Sequence, residues 1–136
     1  MAVSISYVTL GAKDFDAGLN FYDRVLAAVG WSRFVLHGAF AGYGPGGDGG
    51  GQTVWICSPF DGGEASFGNG AMLAFGADIR REVDAFHAAA IAAGATDEGA
   101  PGPRPQYGPD WYAAYLRDPT GNKLAIVCTA KQEASA

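Results

Sequence analysis

The sequence predicts an α+β fold made of two copies of one strand–helix–strands unit. Two observations predict it. Runs of β-branched and aromatic residues alternate with stretches apolar at helical spacing, and near residue 71 that order begins again. A shift of 65 positions lays Gly11-Ala12 on Gly76-Ala77, Phe21 on Phe86 and Ala27-Ala28 on Ala92-Ala93. The 136 residues are one domain's worth, and 49% apolar content excludes a disordered chain.

The first unit spans about residues 3–58. Residues 3–10 read as a strand ended by Gly11, and Asp14 or Asp16 caps a helix running to about Val29. Its stripe is Leu19, Tyr22, Val25, Leu26 and Val29, and Gly30 supplies the left-handed stop. Trp31–Leu36, Ala39–Tyr43 and Gln52–Ser58 follow as strands. Seven glycines in the ten residues 42–51 read as a mobile hairpin loop. A phosphate loop is excluded there, because no Gly-Lys-Ser/Thr and no helix start follow.

The second unit spans about residues 71–129. Ala71–Gly76 reads as a strand, and Asp78 caps a helix with the stripe Ile79, Val83, Phe86 and Ala90, stopped by Gly94. Gly99–Trp111 is too rich in proline to join a sheet centrally. It reads either as a solvated loop or as a semi-rigid lid carrying Arg104, Gln106, Tyr107 and Asp110. Trp111–Arg117 and Lys123–Thr129 are strands joined by the tight turn Asp118-Pro119-Thr120-Gly121-Asn122, and the tail beyond Ala130 is polar and frayed.

Composition narrows the function. Fourteen acids against nine bases give a net charge of −5, which repels phosphate backbones and excludes nucleic acid as the expected partner. Cationic small molecules are attracted, weakly at physiological salt. No apolar run approaches the ~20 residues of a membrane span, and the start carries no signal-peptide pattern, so the expected location is the cytoplasm. Cys57 and Cys128 end strand-like runs and read as buried free thiols. Neither has a neighbouring His, Lys or helix start to activate it.

Each unit alone leaves one face of its sheet bare, and two side by side can curl around a shared concavity. Alternation places Tyr7 with Thr9 on one face of the first strand and Val8 with Leu10 on the other. In the repeat, Met72 and Ala74 match the first pair, so Tyr7 and Met72 point into the concavity. Trp111 and Tyr115 share one face of their strand and Tyr112 and Leu116 the other, which leaves open the pair that faces inward.

The runs YVTLGAKDFDAGLNFYDRVLAAVGW, AFGADIRREVDAFHAAAIAAGA and DPTGNKLAIV together resemble the vicinal-oxygen-chelate superfamily, the glyoxalase/bleomycin-resistance/extradiol-dioxygenase group. The resemblance covers nearly the whole chain. It implies a single glyoxalase-like domain of two βαβββ modules, a cupped mixed sheet and, commonly, a homodimer. Metal-dependent members take one ligand from the first and one from the last strand of each module. Here Tyr7 stands for the usual first His, Met72 for its counterpart in the second module, and Ala125 for the closing Glu. The fourth position falls at Val54, give or take one residue. His37 and His87 lie at none of these positions, and His87 reads as a helix-surface or interface residue. A catalytic divalent site wants about three His or carboxylate ligands, so no metal and no cofactor are expected.

Aromatic and apolar replacements at those positions suit a flat organic ligand held by stacking and one or two hydrogen bonds. The expected ligand-binding residues are Tyr7, Trp55, Met72, Arg104, Tyr107, Trp111 and Tyr115, with Arg104 available to an anionic group and Asp110 to a cationic one. Arg117 reads as paired with a surface acid. The leading expectation is a metal-free, bleomycin-resistance-like homodimer that binds a small aromatic or cationic molecule. The alternative is a metal-independent isomerase or lyase on a small carbonyl compound, with Tyr7 as proton donor and Glu64 or Asp61 as candidate base. A third reading keeps the fold for an interaction surface on the Gly-rich hairpin and Ala-rich second helix.

Overall fold

The structure, a computed structural model, describes residues 2–132. The expected frayed tail lies, from residue 133 on, outside the described residues. Module one comprises β1 (Tyr7–Gly11), α1 (Phe15–Ala27), β2 (Trp31–His37), β3 (Phe40–Pro45) and β4 (Thr53–Cys57). Module two comprises β5 (Leu73–Ala77), α2 (Arg80–Ala92), β6 (Thr96–Pro103), β7 (Tyr112–Arg117) and β8 (Lys123–Cys128). Sheet A has the order β1-β4-β3-β2 and sheet B the order β5-β8-β7-β6. In each, the first strand runs parallel to the last and the other pairs are antiparallel. The fold is therefore the expected α+β pair of βαβββ modules.

Local chemistry sets the elements. The Asp14 carboxylate accepts the Ala17 N–H at 3.1 Å and caps α1. Phe21, absent from the expected stripe, is fully buried beside Tyr22, Val25 and Leu26. Asp78 does not cap α2. The cap position is the next residue, Ile79, whose N–H is accepted by the Glu82 carboxylate at 3.2 Å. Gly30 and Gly94 close the two helices with φ of 81° and 95°.

Two expectations about loops are corrected. Gly99–Pro103 belongs to β6 and is no lid. Pro101 and Pro103 lack an N–H, which is tolerated because β6 is an edge strand pairing only with β7, through two register shifts. Only the connection 104–111 stays outside the sheet, and its ends are tied by the Arg104 N–H to the Trp111 carbonyl at 2.7 Å. The glycine run is likewise part strand, since β3 reaches Pro45. A Cβ on Gly42 meets the Phe34 ring at 2.8 Å and the Trp55 indole at 3.1 Å, so glycine is what lets those rings lie against the strand.

One cluster of buried side chains runs through both modules. Ala41, Tyr43, Val54 and Ile56 of sheet A and Phe75, Leu116, Leu124 and Ile126 of sheet B fill it from either side, with Phe21, Leu26, Val83 and Phe86 from the helices. Val54 thus faces the helices, and register pairs Trp55 with Thr9 as Ala125 pairs with Ala74. The fourth family position is therefore Trp55, within the one-residue tolerance of the alignment. Tyr112 also turns to the helix side, where its hydroxyl donates to Asp84 on α2 at 2.6 Å, and Tyr115 turns outward.

The modules are joined by helix packing and by the β7–β8 turn, while their sheets share no ladder. Asp118 organises the turn from a buried position. Its Oδ1 accepts the N–H groups of Thr120, Gly121 and Asn122 at 2.9, 3.0 and 2.9 Å. Its Oδ2 accepts the Tyr22 hydroxyl of α1 at 2.6 Å and the Asn122 amide at 2.9 Å. That amide also donates to the Gly11 carbonyl at 2.9 Å. Trp31 of module one meets Phe75 of module two edge-on at 5.6 Å.

Candidate functional site

The face of sheet A that points away from the helices carries a concavity lined by aromatic rings. Alternation on β1 and β4 sets Tyr7, Thr9, Trp55 and Cys57 on it, and Phe40 of β3 pairs with Cys57. With Ser58 and Phe60 from the segment after β4, they line a cavity of about 400 Å³. Trp55 is held in place from its edges. Phe34 stands perpendicular to it at 5.4 Å, Phe40 lies at 5.9 Å, and its indole N–H donates to Thr53 Oγ1 at 3.1 Å. Tyr7 is 62% exposed and Phe60 fully so, a large apolar display for one small face.

The polar groups in this cavity are the Tyr7, Thr9 and Ser58 hydroxyls and the Cys57 thiol. Burial pushes the Cys57 thiol above its ordinary range, which keeps it protonated at neutral pH and a poor nucleophile. No His, carboxylate or ammonium group stands in the lining. Glu64 instead pairs with Lys13 at 2.9 Å, and Asp61 accepts the Gly63 N–H.

The seven expected ligand-binding residues fall in four places. Tyr7 and Trp55 meet in the sheet A cavity. Met72 lines a neighbouring groove of about 460 Å³ between β1 and β5, with Thr9, Ala74 and Lys123. Tyr115 lies on the outer face of sheet B, with the Arg104 guanidinium 5.6 Å and the Lys123 ammonium 5.9 Å from its ring centre. Tyr107 and Trp111 pack on each other at 5.9 Å in the β6–β7 connection, where the buried Trp111 indole N–H has no partner among the described residues. Arg104 donates to the Gly102 and Ala100 carbonyls at 2.8 Å, so part of its fork serves its own strand. Arg117 pairs with Glu98 at 2.9 Å, as read from the sequence, and His87 pairs with Asp97 at 3.1 Å.

A third cavity of about 360 Å³ opens on the helix side between the modules, beside Val8, Trp31, Phe75, Asp78 and Glu82. Sequence reasoning missed Phe40, Cys57, Ser58 and Phe60 of the sheet A cavity. Alternation from Trp55 reaches Cys57. Phe40 needs the β3–β4 register, and Phe60, in a loop rich in Gly, Asp and Ser, carries no signal.

The metal that the resemblance implies has no fitting donor set here. The four positions hold a phenol, an indole, a thioether and a methyl group at Tyr7, Trp55, Met72 and Ala125. Among the described residues no three His, Cys, Asp or Glu side chains gather. No helix of the described residues is long and apolar enough to cross a membrane.

Known structures share this arrangement. A glyoxalase/bleomycin resistance protein from Albidiferax ferrireducens is 38% identical, with a TM-score of 0.80 over 91% of this chain and 97% of its own. A glyoxalase/bleomycin resistance protein/dioxygenase family enzyme from Burkholderia phytofirmans is 24% identical, with a TM-score of 0.69 over 94% and 100%. A lactoylglutathione lyase from Agrobacterium tumefaciens is 22% identical, with a TM-score of 0.65 over 93% and 94%. No protein-family model and no curated protein matches the sequence.

Proposed function

The chain belongs to the glyoxalase/bleomycin resistance protein family, and we propose that it is a metal-independent binding protein for a small aromatic molecule held on the outer face of sheet A. The observation that carries this reading is the cavity of about 400 Å³ ringed by Tyr7, Phe40, Trp55 and Phe60. Its size suits one drug-sized molecule. Its ring faces suit stacking, and its hydroxyls suit one or two orienting hydrogen bonds. A cationic ligand would be met by ring faces alone, because no carboxylate lines the cavity.

The same reading makes the protein a single-domain cytoplasmic homodimer. What supports a second copy is the apolar surface left on this face, including Tyr7, Phe40 and Phe60. The isomerase or lyase alternative has less support, since the lining gives Tyr7 no His or carboxylate partner and burial keeps its one thiol, Cys57, protonated.

The test is a calorimetric titration of chelator-treated protein with flat aromatic probes. Saturable one-to-one binding that Trp55→Ala weakens at least about tenfold, by loss of the stacking anchor, is expected. Binding that appears only after a divalent ion is added back overturns the proposal.

A further inference from the structure

We infer that the ligand is an aromatic anion, its ring body on sheet A and its negative group at Lys123 on sheet B. This rests on the sheet A cavity being the ligand site.

Three observations lead there. Thr9 lines both the sheet A cavity and the groove between β1 and β5, and Lys123 lines the far side of that groove. The two spaces therefore adjoin along one strand. Next, Lys123 stands directly opposite Arg117 across the antiparallel β7–β8 ladder. Like charges at opposed positions repel, and Glu98 offsets only the Arg117 member of the pair. Arg104 joins Lys123 over the Tyr115 ring, while Arg117 stands over Phe67 at 5.3 Å.

Their partners are unequal. Arg117 is occupied by Glu98 and the Gly121 carbonyl, at 2.9 and 2.8 Å. Arg104 gives three donors to the Ala100, Gly102 and Pro103 carbonyls. Lys123 makes no ion pair or side-chain hydrogen bond among the described residues, so its three N–H donors are available. In a chain of net charge −5, this patch has three cations against the one paired acid, Glu98. Glu98 compensates Arg117 alone, so Lys123 is left without an acid beside it, and a ligand anion supplies one.

The probes are naphthalene carboxylate and its uncharged carboxamide, titrated into the full chain at low and physiological salt. Expected is at least about tenfold tighter binding of the carboxylate, a preference that shrinks as salt screens it. Lys123→Met, which keeps the side-chain stem over Tyr115, brings the two probes within about twofold, and Lys123→Arg restores the preference. Equal affinity of wild type for both probes, with Trp55→Ala weakening both, overturns the anion site and leaves the cavity standing. A carboxylate preference lost in Lys123→Met and indifferent to Trp55→Ala supports the anion site and overturns the cavity. No saturable binding of either probe to wild type overturns both.

Discussion

The outer faces of sheets A and B occupy equivalent positions in two modules of one topology, yet they display different chemistry. Sheet A presents Tyr7, Phe40 and Trp55 with no charge in the cavity lining. Sheet B presents Tyr115 under Arg104 and Lys123, with Arg117 against Phe67 of the preceding loop. The helix-facing sides show no such divergence, since both are aliphatic and aromatic and fill one core. Packing constrains the inner faces alike, whereas the outer faces are free to specialise. The modules also differ where their last two strands turn. Asp118 in module two is buried and accepts five hydrogen bonds, whereas Asp48 in module one is exposed and accepts one, from the Gly50 N–H at 2.8 Å.

The largest expected effect breaks that second contrast. Asp118→Asn places a donor against groups that need an acceptor, and should cost about 2–4 kcal/mol in a denaturant melt. Asp48→Asn should stay within about 0.5 kcal/mol. Equal costs would mean that the buried turn does not join the modules.

Next in size is the partner of Asp118. Tyr22→Phe removes a hydrogen bond to a buried carboxylate, worth about 1.5–3 kcal/mol at neutral pH. Burial, reinforced by Asp118, holds the Tyr22 hydroxyl well above the ordinary tyrosine range. The unfolded chain therefore releases this proton first. The stabilisation is complete below about pH 10 and is lost as pH rises beyond it. Melting across the alkaline range should show wild type losing stability that the Phe variant no longer has to lose.

Glycine substitutions sharpen the contrast between the outer faces. Gly42→Ala drives a methyl group into Phe34 and Trp55 and should cost about 1–3 kcal/mol. Gly76→Ala on β5 meets nothing within 4 Å and should be neutral, or stabilising by up to about 1 kcal/mol. Thermal melts of the two variants decide whether sheet A alone packs rings tightly over its strands.

The smallest effect lies in the clasp between α2 and β6. The Gly99 N–H, and after it His87, hold the Asp97 carboxyl below its ordinary range. That contribution is present above the ordinary carboxylate range and fades as pH falls through the lowered value. Asp97→Asn should flatten the acid limb of the melting curve slightly and leave neutral stability nearly unchanged.

The repeat, the two helices and seven of eight strands were legible because period and punctuation carry them. β6 was not, because Pro101 and Pro103 are breakers everywhere except on an edge, and edge position is a property of the assembled sheet. The outward face of Tyr7 was legible from alternation, whereas the fourth family position was read at Val54 and the register moves it to Trp55. The role of Asp118 was legible only as a turn, since its partner Tyr22 lies 96 positions away. The same limit applies to Lys123, whose meaning comes from Arg117 across the ladder and from Tyr115 beneath it.

Three tryptophans sample three regions: Trp31 the module junction, Trp55 the sheet A cavity, and Trp111 the β6–β7 connection. The most direct measurement follows their three indole N–H resonances while the uncharged naphthalene carboxamide is titrated into chelator-treated protein. The account predicts a saturable shift of the Trp55 resonance, with Trp31 and Trp111 nearly still. Movement of Trp31 or Trp111 with Trp55 unmoved would contradict it.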